Sequence, residues 1–249
     1  VNAPLREALI TPGAISANVE ALRRLTPTEH AMVVVKADGY GHGALTAARA
    51  ALEGGATWLG TADIPEALAL RSQGVTAPIL AWIFGPHDDP QSAIEHGVDV
   101  GVSSLRQLEQ VQAAAPPGAP ARVHLKIDTG LSRSGAPRDI WPGLCEAARR
   151  AERAGALVVV GVYTHLSGAS IEADEAQGAA FDEAVGVALA AGLRPQIRHV
   201  AASAGAAASP ALANDMVRFG IAAYGVAQVA AHEAIGLTPA MRLAGQIVL

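Results

Sequence analysis

Cysteine is nearly absent from the 249 residues: Cys145 stands alone. No internal disulfide can form, and a reducing cytoplasm is the expected setting. Long apolar runs are also lacking. The longest, from Ala154 to Val162, is interrupted by Gly155 and Gly161 and falls far short of the roughly 20 residues that span a bilayer. The N-terminus has no basic segment followed by an apolar stretch, so no secretory signal is read there. Excess positive charge is missing too. A formal charge of -5 and a pI near 5.9 leave no basic stripe for nucleic acid or an anionic membrane, so a small-molecule partner is expected. There is no His-x-x-x-His, no Cys-x-x-Cys and no carboxylate cluster at metal-ligand spacing, and hence no expected metal site. A Walker-type loop and the dinucleotide fingerprint are absent as well.

The scarcest informative residue is lysine. Of 18 basic side chains only Lys36 and Lys126 are lysines. Arginine keeps its proton at any working pH, whereas a desolvated lysine becomes the neutral amine that attacks a carbonyl. A compositional bias that leaves two ordinary solvated amines would give the same count.

What is present is ample apolar material, 51% of the chain, in a regular order. Short β-branched or apolar runs begin near Ala31, Thr57, Pro78, Val98, Arg122, Leu157, Ile197 and Met216, and helical patterns follow most of them. Ile15, Val19, Leu22 and Leu25 share one helical face, as do Leu105, Leu108 and Val111, and likewise Ile140, Leu144, Ala147 and Ala151. Asp63 with Glu66 and Ser104 with Gln107 have capping-box spacing. Gly55, Gly74, Gly97, Gly155 and Gly192 lie near expected helix ends, and the Pro116–Pro120 cluster reads as a loop. Strands alternating with helices need a parallel sheet, and eight such units close most naturally into an α/β, (β/α)8 TIM-like barrel over residues 1–236; a doubly wound open sheet is the alternative. After Tyr224 the pattern changes. Met241 to Ile247 alternates like a strand with nothing after it to pair with, so residues 237–249 are read as an oligomer contact or the start of a second, β domain.

Barrels of this kind build their sites at the carboxyl ends of the strands. Lys36 ends the first run and is followed by Ala37, Asp38, Gly39, Tyr40, Gly41, His42 and Gly43. The fifth run ends in Lys126 and leads to Arg133. The sixth delivers His165; the seventh passes His199 and reaches Ser203; the eighth carries Arg218, Gly220 and Ile221. A hydroxyl after strand seven and a glycine turn after strand eight are where barrels commonly hold phosphate. Lysine plus phosphate site suggests pyridoxal phosphate. Taken singly, His165 could be a hydrogen-bonded histidine, Ser203 a helix cap and Gly220 a turn.

Lys36–Gly43 resembles the cofactor-lysine signature of alanine racemases almost letter for letter, and the segments 126–135 and 216–225 resemble two further motifs of that family. The resemblance implies that Lys36 holds pyridoxal 5'-phosphate through a Schiff base and that Tyr40, Ser203, Gly220 and Ile221 bind its phosphate. His165 is then expected against the pyridine ring. Arg218 faces the ring nitrogen, and Arg133 contacts the phenolic oxygen and the substrate carboxylate. Lys126 is expected to carry a carbamate that positions Arg133. The implied activity is L-alanine/D-alanine interconversion for cell-wall peptidoglycan, by a homodimer in which a second-domain tyrosine of the partner subunit serves the face opposite Lys36. Three positions depart from the family's usual residues: Leu131 for methionine, Leu166 for an aromatic and Ala202 for asparagine. A stand-alone pyridoxal-phosphate carrier sharing barrel and lysine is the alternative, as is a related barrel enzyme acting on another D-amino acid.

Overall fold

The computed structural model describes residues 5–247; the outermost residues of both expected segments, 1–4 and 248–249, lie outside them. The first half runs β1 (Arg6–Ile10), α1 (Pro12–Leu25), β2 (His30–Val34), α2 (Lys36–Gly41), α3 (Ala44–Glu53), β3 (Trp58–Asp63), α4 (Ile64–Ser72), β4 (Ile79–Ile83), α5 (Pro90–Glu95), β5 (Asp99–Val102) and α6 (Leu105–Ala114). The second runs β6 (Ala121–Lys126), α7 (Trp141–Arg153), β7 (Leu157–Tyr163), α8 (Ile171–Ala190), β8 (Ile197–His199), α9 (Ser203–Ala208), β9 (Met216–Phe219), α10 (Ala230–Ala234) and β10 (Met241–Gly245), with short 3-10 turns at Pro210–Leu212 and Ile221–Tyr224.

Strands β2 to β9 form one sheet in the order β8-β7-β6-β5-β4-β3-β2-β9, every pair parallel. Its two ends meet where Arg218 N donates to Ala201 O at 3.2 Å and Ala202 bridges Arg218. The sheet is therefore the expected (β/α)8 barrel, and the open-sheet alternative falls. Local signals hold as well: the Asp63 carboxylate accepts from Glu66 N at 2.9 Å and Ser104 Oγ from Gln107 N at 3.2 Å. The glycines expected at helix ends, such as Gly55 and Gly192 at φ 91°, adopt the left-handed conformation that stops a helix without a Cβ penalty.

Two expectations need correction. The 241–245 strand has a partner within the chain: β1 pairs with it antiparallel, Ile10 opposite Met241 through Arg6 opposite Gly245. That first strand went unread because Arg6 and Glu7 break the apolar pattern. The apolar face of α7 is also rotated from the expected one. Ile140 is 42% exposed, and the buried stripe is Trp141, Leu144, Cys145, Ala148 and Ala151, because Trp141 turns inward and its indole N–H donates to Ala184 O at 2.9 Å.

Strand alternation sorts the side chains into two populations. Val33, Leu59, Ile79, Val100, Val123, Leu125, Val162 and Phe219 face the helices and form the main core. Met32, Trp58, Leu80, Val160, Ile197 and Met216 fill the barrel interior, which β6 supplies with Arg122, His124 and Lys126. Between β6 and β7 the register shifts, Val123 opposite Val159 but His124 opposite Gly161. The bulge re-phases β7 so that Tyr163 points inward. A Cβ on Gly161 would collide with the His124 ring, so glycine leaves the room that imidazole occupies.

Candidate active site

Lys36 follows β2 after a single residue, Val35, and the backbone after it does something L-residues rarely do. Ala37, Asp38 and Tyr40 have φ of 50°, 53° and 53°, and Gly39 between them 62°: α2 is a left-handed turn. Left-handed helical geometry costs about 1–2 kcal/mol per non-glycine residue, and local bonds offset it. Glu66 accepts from Ala37 N at 2.6 Å and from Ala62 N at 2.8 Å, while Asp38 accepts from Ala44 N at 2.7 Å. Gly39 is confined further, since a Cβ there would stand 2.9 Å from that of Ala47.

The turn carries Tyr40 back across the mouth. Its ring lies 5.0 Å from that of Tyr224, whose hydroxyl donates to Val34 O at 2.9 Å, and the Lys36 ammonium lies 5.8 Å from the Tyr40 ring centre. A Cβ on Gly220 would stand 3.2 Å from the Tyr40 hydroxyl oxygen. Tyr40 and the Gly220–Ile221 turn therefore converge, and burial raises the Tyr40 pKa, keeping the phenol a hydrogen-bond donor. On the neighbouring strand end, Ser203 is 2% exposed and its Oγ has no protein partner. Ala202 occupies the N-cap of α9 and supplies no side-chain cap. An unpartnered buried hydroxyl at the same barrel mouth as a tyrosine hydroxyl and a glycine turn fits an oxyanion such as a phosphate.

Arg218, on β9, is buried and held on every side. Its guanidinium donates to Thr164 O at 2.9 Å, Val200 O at 2.7 Å, His199 Nδ1 at 3.0 Å and His165 Nδ1 at 3.2 Å. Burial lowers its pKa to about 10, opposed by Tyr163, so it stays charged. Burial, then the charges of Arg218, Arg133, Lys126 and Lys36, pull His165 down to about 3. Neutral His165 and charged Arg218 are thus the forms present across the ordinary pH range.

Lys126 is 7% exposed, and its ammonium donates to Ser134 Oγ at 2.5 Å. Burial first, then Arg218 and Arg133, lower its pKa to about 8, so a sizeable neutral fraction exists near neutrality. Arg133 stands exposed on the following loop, close enough for its charge to act on both Lys126 and His165. Lys36, Tyr40, Lys126, His165, Ser203, Arg218, Gly220 and Ile221 therefore collect at one end of the barrel, with Arg133 at its rim. Of the three departures, Leu166 packs close on Gly205 of α9, Ala202 bridges Arg218, and Leu131 sits half-buried on the loop. A separate cavity of about 250 Å³, between the β6 loop, α7 and α8, is lined by Asp128, Arg138 and Glu183 among others and by none of the expected site residues.

Sequence reasoning passed over Asp99 and His124 and gave Tyr163, at the end of the sixth run, no role. All three are buried inside the barrel, and the signal available was a polar residue at an inward strand position. Tyr163 stacks on His199 with ring centres 4.6 Å apart and planes 1° from parallel.

The family profile described as alanine racemase, N-terminal domain, matches residues 10–228. The chain belongs to that family. It is 47% identical to the alanine racemase of Thermobifida fusca over 97% of this chain and 66% of that protein, and 46% identical to that of Salinispora tropica over 98% and 66%. The alanine racemase structure from D-cycloserine-producing Streptomyces lavendulae superposes with a TM-score of 0.93 at 39% identity, covering 98% of this chain and 65% of that one. The Streptomyces coelicolor A3(2) alanine racemase gives 0.90 at 42%, covering 96% and 65%. The chain thus spans just under two thirds of the length of these relatives. Among the described residues, no helix is long and apolar enough to cross a membrane.

Proposed function

We propose that this chain is the pyridoxal-phosphate-binding part of an enzyme that interconverts L-alanine and D-alanine, working in the cytoplasm within a homodimer and supplying D-alanine for peptidoglycan. The observation that carries the reading is the presence, at one barrel mouth, of a lysine, an unpartnered buried Ser203 hydroxyl and the Tyr40–Gly220 pair. Lys36 would hold the cofactor covalently; Tyr40, Ser203 and the amides of Gly220 and Ile221 would hold its phosphate; His165 would lie on its ring. When bound, the cofactor supplies an electron-withdrawing ring that acidifies the substrate's α C–H bond.

The remaining chemistry falls to this chain's residues. Arg218 cannot give up a proton to a ring nitrogen at ordinary pH, so it would hold that nitrogen unprotonated and limit how much negative charge the ring absorbs. A briefly held charge favours prompt reprotonation over side reactions. The Lys36 amine, once exchanged for substrate, would move the proton on its own face. Arg133 would orient the substrate carboxylate, and a carbamate on Lys126 would fix Arg133 by charge. The opposite-face base is assigned to a tyrosine of the partner subunit's second domain. No residue of this chain is assigned that role.

Borohydride reduction in the presence of pyridoxal phosphate, followed by peptide mass analysis, tests the cofactor assignment, because only Lys36 and Lys126 offer side-chain amines. Label on Lys36 is expected; folded protein without it overturns the assignment. Racemisation is tested on the gene-length protein by following optical rotation of L-alanine. Cofactor binding without turnover would instead favour a carrier.

A further inference from the structure

Arg218 does not end at its immediate partners. From His199 Nε2 to His124 Nδ1 is 2.9 Å, from His124 Nε2 to Asp99 Oδ2 is 3.2 Å, and the other Asp99 oxygen accepts from Arg122 Nε at 2.8 Å. His124 and His199 are fully buried and Asp99 is 2% exposed. Asp99 opens β5 and Arg122 lies near the start of β6, at the end of the barrel opposite Lys36. A continuous file of side chains therefore threads the interior from one rim to the other.

The proton positions along the file follow from chemistry. A guanidinium only donates, so His199 Nδ1 must accept from Arg218. A neutral His199 then carries its proton on Nε2 and donates it to His124 Nδ1. His124 in turn carries its proton on Nε2 and donates to the Asp99 carboxylate. Every bond from Arg218 to Asp99 points the same way, and each ring uses both nitrogens. Reversing any link would leave two donors or two acceptors facing one another in a dry interior.

The surroundings preserve this arrangement. Gly161 leaves the space that the His124 ring fills, Trp58 packs edge-on to His124 at 5.4 Å, and Tyr163 stacks on His199. Burial, Arg218, His124 and Lys126 hold the His199 pKa well below its ordinary value, in keeping with a neutral ring.

We infer that Asp99 and His124 are positioning residues for Arg218: through His199 they form a one-way hydrogen-bond relay that anchors the guanidinium to a carboxylate at the far end of the barrel. The relay fixes the guanidinium's direction and favours its charge, which under the proposed function is the property that governs the cofactor ring. The inference rests on that function only for its consequence; the relay itself is a property of this chain.

Two measurements separate the two. Long-range proton–nitrogen NMR of the histidine rings in the chain without cofactor, assigned with single histidine variants, should show His124 and His199 neutral with the proton on Nε2. A proton on Nδ1 of either, or an imidazolium at neutral pH, overturns the relay whatever the cofactor does. The second measurement follows, in the cofactor-loaded protein, the pH at which the visible absorbance of lysine-bound cofactor changes. Asp99→Asn removes the charge and should move that pH down, because the site becomes more positive. His124→Leu cuts the file and should move it likewise, whereas His124→Gln, whose amide can accept from His199 and donate to Asp99, should restore the wild-type value. A shift in Asp99→Asn without one in His124→Leu would mean that the charge acts through space and would overturn the relay; so would Leu and Gln behaving alike. If the wild-type chain takes up no cofactor, the proposed function fails, and the relay stands or falls on the ring tautomers.

Discussion

Glu66 was expected only as part of a helix cap, yet it holds the turn that presents Lys36, and its removal is the sharpest test of how that lysine is positioned. The turn places Ala37, Asp38 and Tyr40 at φ 50–53°, a cost of roughly 3–6 kcal/mol in all at about 1–2 kcal/mol each. Glu66 offsets part of it with bonds of 2.6 and 2.8 Å to the amides of Ala37 and Ala62. A hydrogen bond to a charged group is worth about 1.5–3 kcal/mol, but Glu66 is only half-buried, which argues for the low end or below. Glu66→Ala should therefore destabilise the fold by about 2–3 kcal/mol, and Glu66→Gln, which keeps one acceptor oxygen, by roughly half as much. If the free variant's turn is left about 1.4 kcal/mol above its opened form, so that about a tenth of the molecules present the lysine, the apparent Kd for pyridoxal phosphate rises about tenfold. Urea unfolding reads the first number, and absorbance titration with borohydride trapping at Lys36 reads the second. Unchanged unfolding midpoint and unchanged affinity in Glu66→Ala would refute the reasoning; a loss of stability with unchanged affinity would show that the turn does not position the lysine.

Other consequences can be measured directly. Lys126 is lowered to about 8, whereas an unfolded lysine titrates near 10.4. Between those values the unfolded chain binds more protons, so stability should rise with pH across that window, and Lys126→Gln should flatten the rise in denaturant midpoints. The neutral amine should also take up labelled bicarbonate, giving a carbamate carbon signal that Lys126→Arg lacks. His165, lowered to about 3, remains neutral in the fold while the unfolded ring protonates near 6.5. Its contribution is thus present above about 6.5 and is lost as pH falls toward 3, a loss that His165→Gln should reduce in acid unfolding curves. Gly220→Ala would set a methyl 3.2 Å from the Tyr40 hydroxyl and should weaken phosphate binding, read as a raised Kd for pyridoxal phosphate with little change in thermal midpoint; equal affinity would remove the Tyr40–Gly220 pair from the phosphate site.

How much of this was legible in the sequence depends on which side of the sheet a residue faces. The outward core announces itself: Val33, Val35, Leu59, Val100, Val102, Val123 and Leu125 recur at every second position, and the helices covering them carry caps and terminal glycines that act locally. The barrel followed from that periodicity, and the mouth followed from reading the residue after each run, which is how Lys36, Lys126, His165 and Arg218 were found. The left-handed turn was not readable, because Ala37 and Tyr40 have no intrinsic preference for positive φ; its geometry is imposed from Glu66, some 30 residues on. Met241–Gly245 was readable as a strand but its partner was not, since the pairing with Arg6–Ile10 joins segments more than 200 residues apart.

The inward face is where local pattern says least and chemistry says most. An interior made only of Met32, Trp58, Leu80 and Ile197 would be a routine packed core, and against it an aspartate at position 99 and a histidine at 124 are expensive choices. A buried charge or imidazole without partners costs several kcal/mol, so a fold keeps such groups only when each finds its complement. Here every complement is another costly residue: Asp99 needs His124, His124 needs His199 and Gly161, and His199 needs Arg218. None of these pairings is local in sequence, yet all four side chains occupy inward positions on parallel strands. A polar residue in phase with the apolar interior is thus the one sequence-level sign of the file, and for Tyr163, which stacks on it, the β7 bulge obscures even that by shifting the phase. Since Arg218 is the only member that reaches the mouth, the value of the other three to the protein has to be expressed through it.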